Sequence, residues 1–177
     1  MFNKAISILL FLFLYSTLSK AQKTGYKDIV IGKNIDDSSL NKYHLGVFTN
    51  EENTYGLVGD SETVFCKFPV HGIKIHTDKK GIITEISLQT IDIEISDWNV
   101  LFALFKQLRN CITDVVGAQS YTNLVDRKEN EAMAIFWNFE KENTTLILSV
   151  QDMSVMAHNE KRLFLITWRP YKTKSLW

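Results

Sequence analysis

The sequence predicts an α+β domain: an antiparallel β-sheet with one long amphipathic helix packed on one face. Three observations predict it. Residues 72–95 alternate apolar and polar side chains with period two. Residues from about Asp97 to Val116 repeat apolar side chains at helical spacing. Residues 133–168 return to period two in three successive runs. Strands grouped before and after a single helix, in the order hairpin, helix, meander, favour a helix laid across an antiparallel sheet over alternating units of a parallel one.

The chain opens on a leader. Lys4 supplies a basic start, and Ile6, Ile8, Leu9, Leu10, Phe11, Leu12, Phe13 and Leu14 form an apolar core. Ser19 and Ala21 put small residues before a cleavage point at Gln22. The apolar run from Ala5 to Leu18 falls short of the roughly 20 residues that span a bilayer. Residues 1–21 therefore read as a signal peptide, and residues 22–177 as one domain exported to a periplasmic or extracellular space, with no stable membrane insertion after cleavage. The first cysteine is Cys66, which argues against a lipid anchor at the cleavage site. Without Lys4 and Lys20 the chain carries 18 basic against 20 acidic residues. That balance gives no electrostatic reason to bind nucleic acid. The basic residues Lys161, Arg162, Arg169, Lys172 and Lys174 read as a solvated strand end and tail.

The N-terminal third is less periodic. Ile29-Val30-Ile31 and Thr63 to Val70 read as strands. Asp36 to Tyr43 reads as a short helix capped by Asp36 or Asp37, and residues 44–62 as hairpin or loop. Residues 26–68 are the expected cover for the sheet face that the helix leaves open.

In the first hairpin, Ile73, Ile75 and Thr77 alternate with Lys74 and His76. Asp78-Lys79-Lys80-Gly81 turns the chain, and Ile82, Thr84, Ile86 and Leu88 continue the alternation. The phase changes between Leu88 and Ile91, which predicts a bulge. The helix places Trp98, Leu101, Phe102, Phe105, Leu108, Ile112, Val115 and Val116 on one stripe, with Gly117 as its left-handed stop. The meander runs through Met133 to Phe139, Leu146 to Val150 and Arg162 to Trp168. Its first and third strands are apolar on both sides. One side receives the helix, and the other needs a cover or a partner.

Motifs of catalysis are missing: the sequence contains no HExxH, CxxC, G-x-S-x-G or phosphate-cradling glycine loop. His71 and His76 stand five apart, which on one regular strand points them to opposite faces. With His44 and His158 they define no metal site, and neither metal nor cofactor is expected. Ser61 between Asp60 and Glu62 is not a triad. Asn143-Thr144-Thr145 is a glycosylation sequon on a turn. Cys66 and Cys111 form a disulfide in an oxidising compartment, worth roughly 4 kcal/mol by chain entropy, or else serve as two small buried hydrophobes. Arg109 falls about 20° from Trp98 on the wheel, inside the apolar stripe. It reads either as a snorkelling side chain or as an anchor for a ligand anion.

The architecture resembles small exported helix-on-sheet bacterial domains in outline only; no motif identifies a family. The functional expectation is an exported, non-enzymatic binding protein: an inhibitor, an immunity-type protein or an envelope-associated factor. Phe136, Phe164 and Trp168 are its candidate contacts to a protein partner. The alternative is a small exported hydrolase or ligand-binding domain, with Arg109 lining a pocket between sheet and helix.

Overall fold

Period-two runs become strands of an antiparallel sheet, and residues 98–116 form an α-helix of 19 residues. The computed structural model describes residues 23–48, 51–58, 64–90, 93–94, 98–117, 121–125, 132–152 and 161–171. Residues 1–22, which include the expected leader, lie outside them, as do Ser61, His158, Lys172 and Lys174. The elements are β1 (Gly25–Tyr26), β2 (Ile29–Val30), a 3₁₀ helix (Ser38–Tyr43), β3 (Gly46–Val47), β4 (Thr54–Val58), β5 (Val64–Phe65), β6 (Phe68–Thr77), β7 (Ile83–Thr90), β8 (Ile93–Glu94), α1 (Trp98–Val116), β9 (Tyr121–Val125), β10 (Ala132–Phe139), β11 (Thr144–Asp152) and β12 (Lys161–Pro170). The main sheet runs β3-β4-β6-β7-β12-β11-β10-β9. β5 adds to β6, β8 adds to β12, and β1-β2 form a separate ribbon. The ladders are antiparallel.

Register decides which face is inside. Leu57, Ile73, Leu88, Ile166, Leu148 and Ile135 form one transverse row across six strands. Tyr55, Ile75, Ile86, Trp168, Leu146 and Trp137 form the next such row on that face. Between them, on the opposite face, runs Gly56, Lys74, Ser87, Thr167, Ile147 and Phe136. Side chains of neighbouring strand positions point to opposite sides, so the two apolar rows make the first face and the mixed row the second. β12 is inserted between β7 and β11, and this last strand welds hairpin to meander. Its central position is why Phe164, Ile166 and Trp168 are no more than 1% exposed.

The helix covers the first face. Leu101, Phe105, Leu108, Ile112 and Val116 are buried, and the Phe105 ring lies 6.3 Å from that of Phe164. Gly117 (φ +96°) ends the helix, its N–H donating to the Thr113 carbonyl. Phe102 departs from the expected stripe. It is 51% exposed, because the buried line runs 101-105-108-112 and Phe102 lies a full helical step of about 100° beyond Leu101.

The N-terminal segment departs from expectation: among its described residues, Tyr26, Ile29, Leu40 and Phe65 join the core of the first face beside the helix, and Phe48 alone is seen against the second face. The Tyr26 ring meets Phe65 at 6.2 Å, Phe65 meets Trp168 at 5.8 Å, and Lys23 lies over the Phe139 ring. The 3₁₀ helix is capped by Asp37, whose carboxylate accepts from the Ser39 N–H, and it buries Leu40 in the same core.

The strand pairing is irregular at several points, including β6–β7 register shifts between Val70 and Gly72 and between His76 and Thr77. β12 pairs Leu165 with Gln89 and Arg162 with Ile93; Ile91, where the sequence changes phase, lies outside the described residues. The two-residue turn between β5 and β6 consists of Cys66 (φ +52°) and Lys67 (φ +66°). A type I′ turn requires left-handed backbone at both positions and favours Asn-Gly there. With two non-glycine residues it costs roughly 1–2 kcal/mol for each. Burying Phe65 beside it returns a similar amount, roughly 1.5–3 kcal/mol. Cys66 is joined to Cys111 of α1 by a disulfide, with 5.8 Å between Cα atoms.

Candidate functional site

Three glycines that are scattered in sequence come together on the second face. Gly46 on β3 pairs with Gly56 on β4, Gly56 with Lys74 on β6, and Gly72 on β6 with Gln89 on β7. Where side chains would stand, the backbone forms the floor of a groove of about 300 Å³. Phe48, His71, Lys74 and Gln89 line it.

Each wall has a local cause. Phe48 lays its ring across Gly56, where a Cβ would collide with it. The Lys74 ammonium lies 5.7 Å from the ring centroid. The same ammonium bonds the Glu51 carboxylate at 2.9 and 2.6 Å, tying the β3–β4 turn to β6. That hydrogen bond holds the Glu51 carboxyl below its ordinary range. On the far side of the turn, His76 Nδ1 is 3.0 Å from the Thr54 hydroxyl.

His71 reaches the groove through an irregularity. The β6–β7 register slips between Val70 and Gly72, which makes His71 the extra residue of a bulge. The bulge changes the phase of β6, so the expectation that His71 and His76 point to opposite faces does not hold. Among the described residues no group of three or more His, Cys, Asp or Glu could hold a metal ion.

The groove ends at an edge. Among the described residues β3 pairs only with β4. The Phe48 N–H donates to the Thr54 carbonyl, so by antiparallel alternation the N–H and C=O of Val47 point away from the sheet. Val47 is 68% exposed and Phe48 45%. Gly46-Val47-Phe48 carries none of the charges or prolines that commonly guard an exposed edge.

Beyond the groove the second face is a mixture of hydroxyls and apolar groups. Ser87 and Thr167 hydroxyls lie 3.0 Å apart, and the Thr145 hydroxyl donates to Asn138 Oδ1 at 3.0 Å. Phe136 is half-buried beside Ile147.

The aromatics expected to share a partner surface are divided by register. Phe136 stands on the second face, whereas Phe164 and Trp168 are buried on the first, under α1 and Phe65. That burial removes Phe164 and Trp168 from any surface of this fold. Arg109 is half-buried on α1 and donates from Nε and a terminal nitrogen to Asn110 Oδ1, at 3.2 and 3.0 Å. The groove lies at the sheet edge on the other face, so the structure does not bring Arg109 to it. Cys66 and Cys111 are brought together. Sequence reasoning missed the three glycines, Phe48 and Gln89. Their only linear signal is glycine within short strand segments, which marks close backbone approach.

No protein-family model, curated protein or solved structure matches the chain. No helix among the described residues is long and apolar enough to cross a membrane.

Proposed function

We propose that this is an exported binding protein that performs no chemistry of its own and takes an extended segment of another protein on the β3 edge, with side chains of that segment entering the glycine-floored groove. One observation carries the reading: an edge strand without charge or proline opens directly onto a groove floored by glycine backbone, with the Phe48 ring lying over Gly56. Strand addition uses such an edge, where main-chain hydrogen bonds supply affinity and a neighbouring pocket supplies selectivity. The partner's backbone would meet the outward N–H and C=O of Val47, and Phe48, Gln89 and His71 would read its side chains. Phe136 extends the same face and is the surviving aromatic of the expected contact set. The Cys66–Cys111 disulfide and the N-terminal leader support export to an oxidising compartment. Inhibitors, immunity-type proteins and envelope-associated factors all fit this description.

Capture of partners by the exported chain, read by mass spectrometry, tests the proposal. Gly72→Phe fills the groove; a Cβ there meets only Gln89 Oε1 and the Leu57 carbonyl oxygen, both at 3.7 Å. Phe48→Asp puts a charge at the edge. Both variants are expected to lose a protein that the wild-type chain and Phe102→Asp, on the outer side of α1, retain. Equal capture by all four chains, with near-ultraviolet circular dichroism showing them folded, overturns it.

A further inference from the structure

We propose that the Cys66–Cys111 disulfide is a reducible latch, whose reduction by a dithiol releases the β5–β6 turn from α1 while the main sheet stays folded. The proposal rests on the bond's surroundings and is independent of the groove.

Both cysteines are half-buried, less enclosed than their buried neighbours Phe65 and Ile112. The bond joins α1 to the β5–β6 turn, at the start of β6. On one side is the flank of α1, whose own burial runs through Leu108 and Ile112. On the other is β5, held to the sheet among the described residues by two residue pairs, Val64 with Pro69 and Phe65 with Phe68. The turn between β5 and β6 places Cys66 and Lys67 in left-handed backbone that neither residue favours. The conformational cost of that turn is of the same order as the gain from burying Phe65, so the covalent bond decides whether the turn stays docked. Once released, Phe65 leaves its place between Tyr26 and Trp168 and uncovers an aromatic hollow over the central strand.

The chemistry is thiol–disulfide exchange. A thiolate of the dithiol attacks one cysteine Sγ, and the other Sγ departs as a thiolate and takes a proton. The second reductant thiol then displaces the first cysteine from the mixed disulfide and closes the reductant's own disulfide. Two electrons and two protons pass to Cys66 and Cys111, and the dithiol is oxidised.

Hydrogen exchange on the full chain, with and without dithiothreitol, tests the latch. Reduction is expected to speed exchange of the amides in residues 64–68 at least tenfold and to leave β10, β11 and β12 unchanged. Cys66→Ser/Cys111→Ser should show the fast rates without reductant. In Lys67→Gly, where glycine accepts the left-handed backbone, the acceleration on reduction should fall below threefold. Unchanged exchange at 64–68 on reduction overturns the proposal. So does acceleration that spreads to β10–β12, which would make the bond a staple of the whole fold. An undiminished response in Lys67→Gly also overturns it, because the turn would then not drive release.

Discussion

Two phenylalanines three residues apart on α1 give a direct test of how the helix is seated. Phe105 is 6% exposed and its ring packs against Phe164 on the central strand, whereas Phe102 is 51% exposed. Truncating Phe105 to Ala removes apolar area that is almost wholly dry and leaves a cavity between helix and sheet. The expected loss is about 3–5 kcal/mol. A domain of this size has a total stability of about 5–15 kcal/mol, so the variant should sit near the margin of folding. Phe102→Ala removes a side chain that water already reaches and should cost less than about 1 kcal/mol. Urea unfolding of the two variants beside wild type measures both numbers with one slope. Equal losses, or a larger loss for Phe102, would mean that α1 is rotated from its described seat. The assignment of inside and outside faces would then fail with it.

Other outcomes derive from the same geometry. The Glu51 carboxyl is held low by its bond to Lys74. Its contribution is therefore fully present above the ordinary glutamate value of about 4.3 and is lost as pH falls through the lower folded value. Carbon-detected NMR should titrate Glu51 below about 4.3 in wild type and return it to that range in Lys74→Met; an ordinary midpoint in wild type would contradict the tether. Gly81 holds φ +77° in the β6–β7 turn, so Gly81→Ala should cost about 1 kcal/mol or more, whereas Gly46→Ala, with no positive φ and only the Gly56 carbonyl oxygen at 3.8 Å, should cost less. Thermal melts of the pair check the order. Exported material should begin at or near Gln22 on N-terminal sequencing, and material beginning at Met1 would contradict the leader.

Local pattern made much of the fold legible. The alternation of Ile73, Ile75 and Ile86 located a hairpin, and Gly81 and Gly117 marked a turn and a helix stop that both take positive φ. Non-local pairing was not legible. Nothing near β12 in the sequence says that it inserts between β7 and β11, and the β10–β11–β12 register is what separates Phe136 from Phe164 and Trp168. Phe102 was misplaced because a wheel gives a stripe's width but not which edge of it meets the sheet. β9 went unread between the helix and the meander. β3, at two residues, is too short to show a period. The groove was illegible for the same reason: Gly46, Gly56 and Gly72 form no linear motif, and register alone makes them neighbours.

If the β3 edge and the groove behind it receive a partner, the amides there must change their exchange when that partner binds. Hydrogen–deuterium exchange of the chain in complex with the protein it captures measures this most directly. New protection is expected at residues 45–48 and 71–74, with no change at residues 99–107 of α1. Protection confined to α1, with β3 exchanging as in the free chain, would contradict binding at the edge.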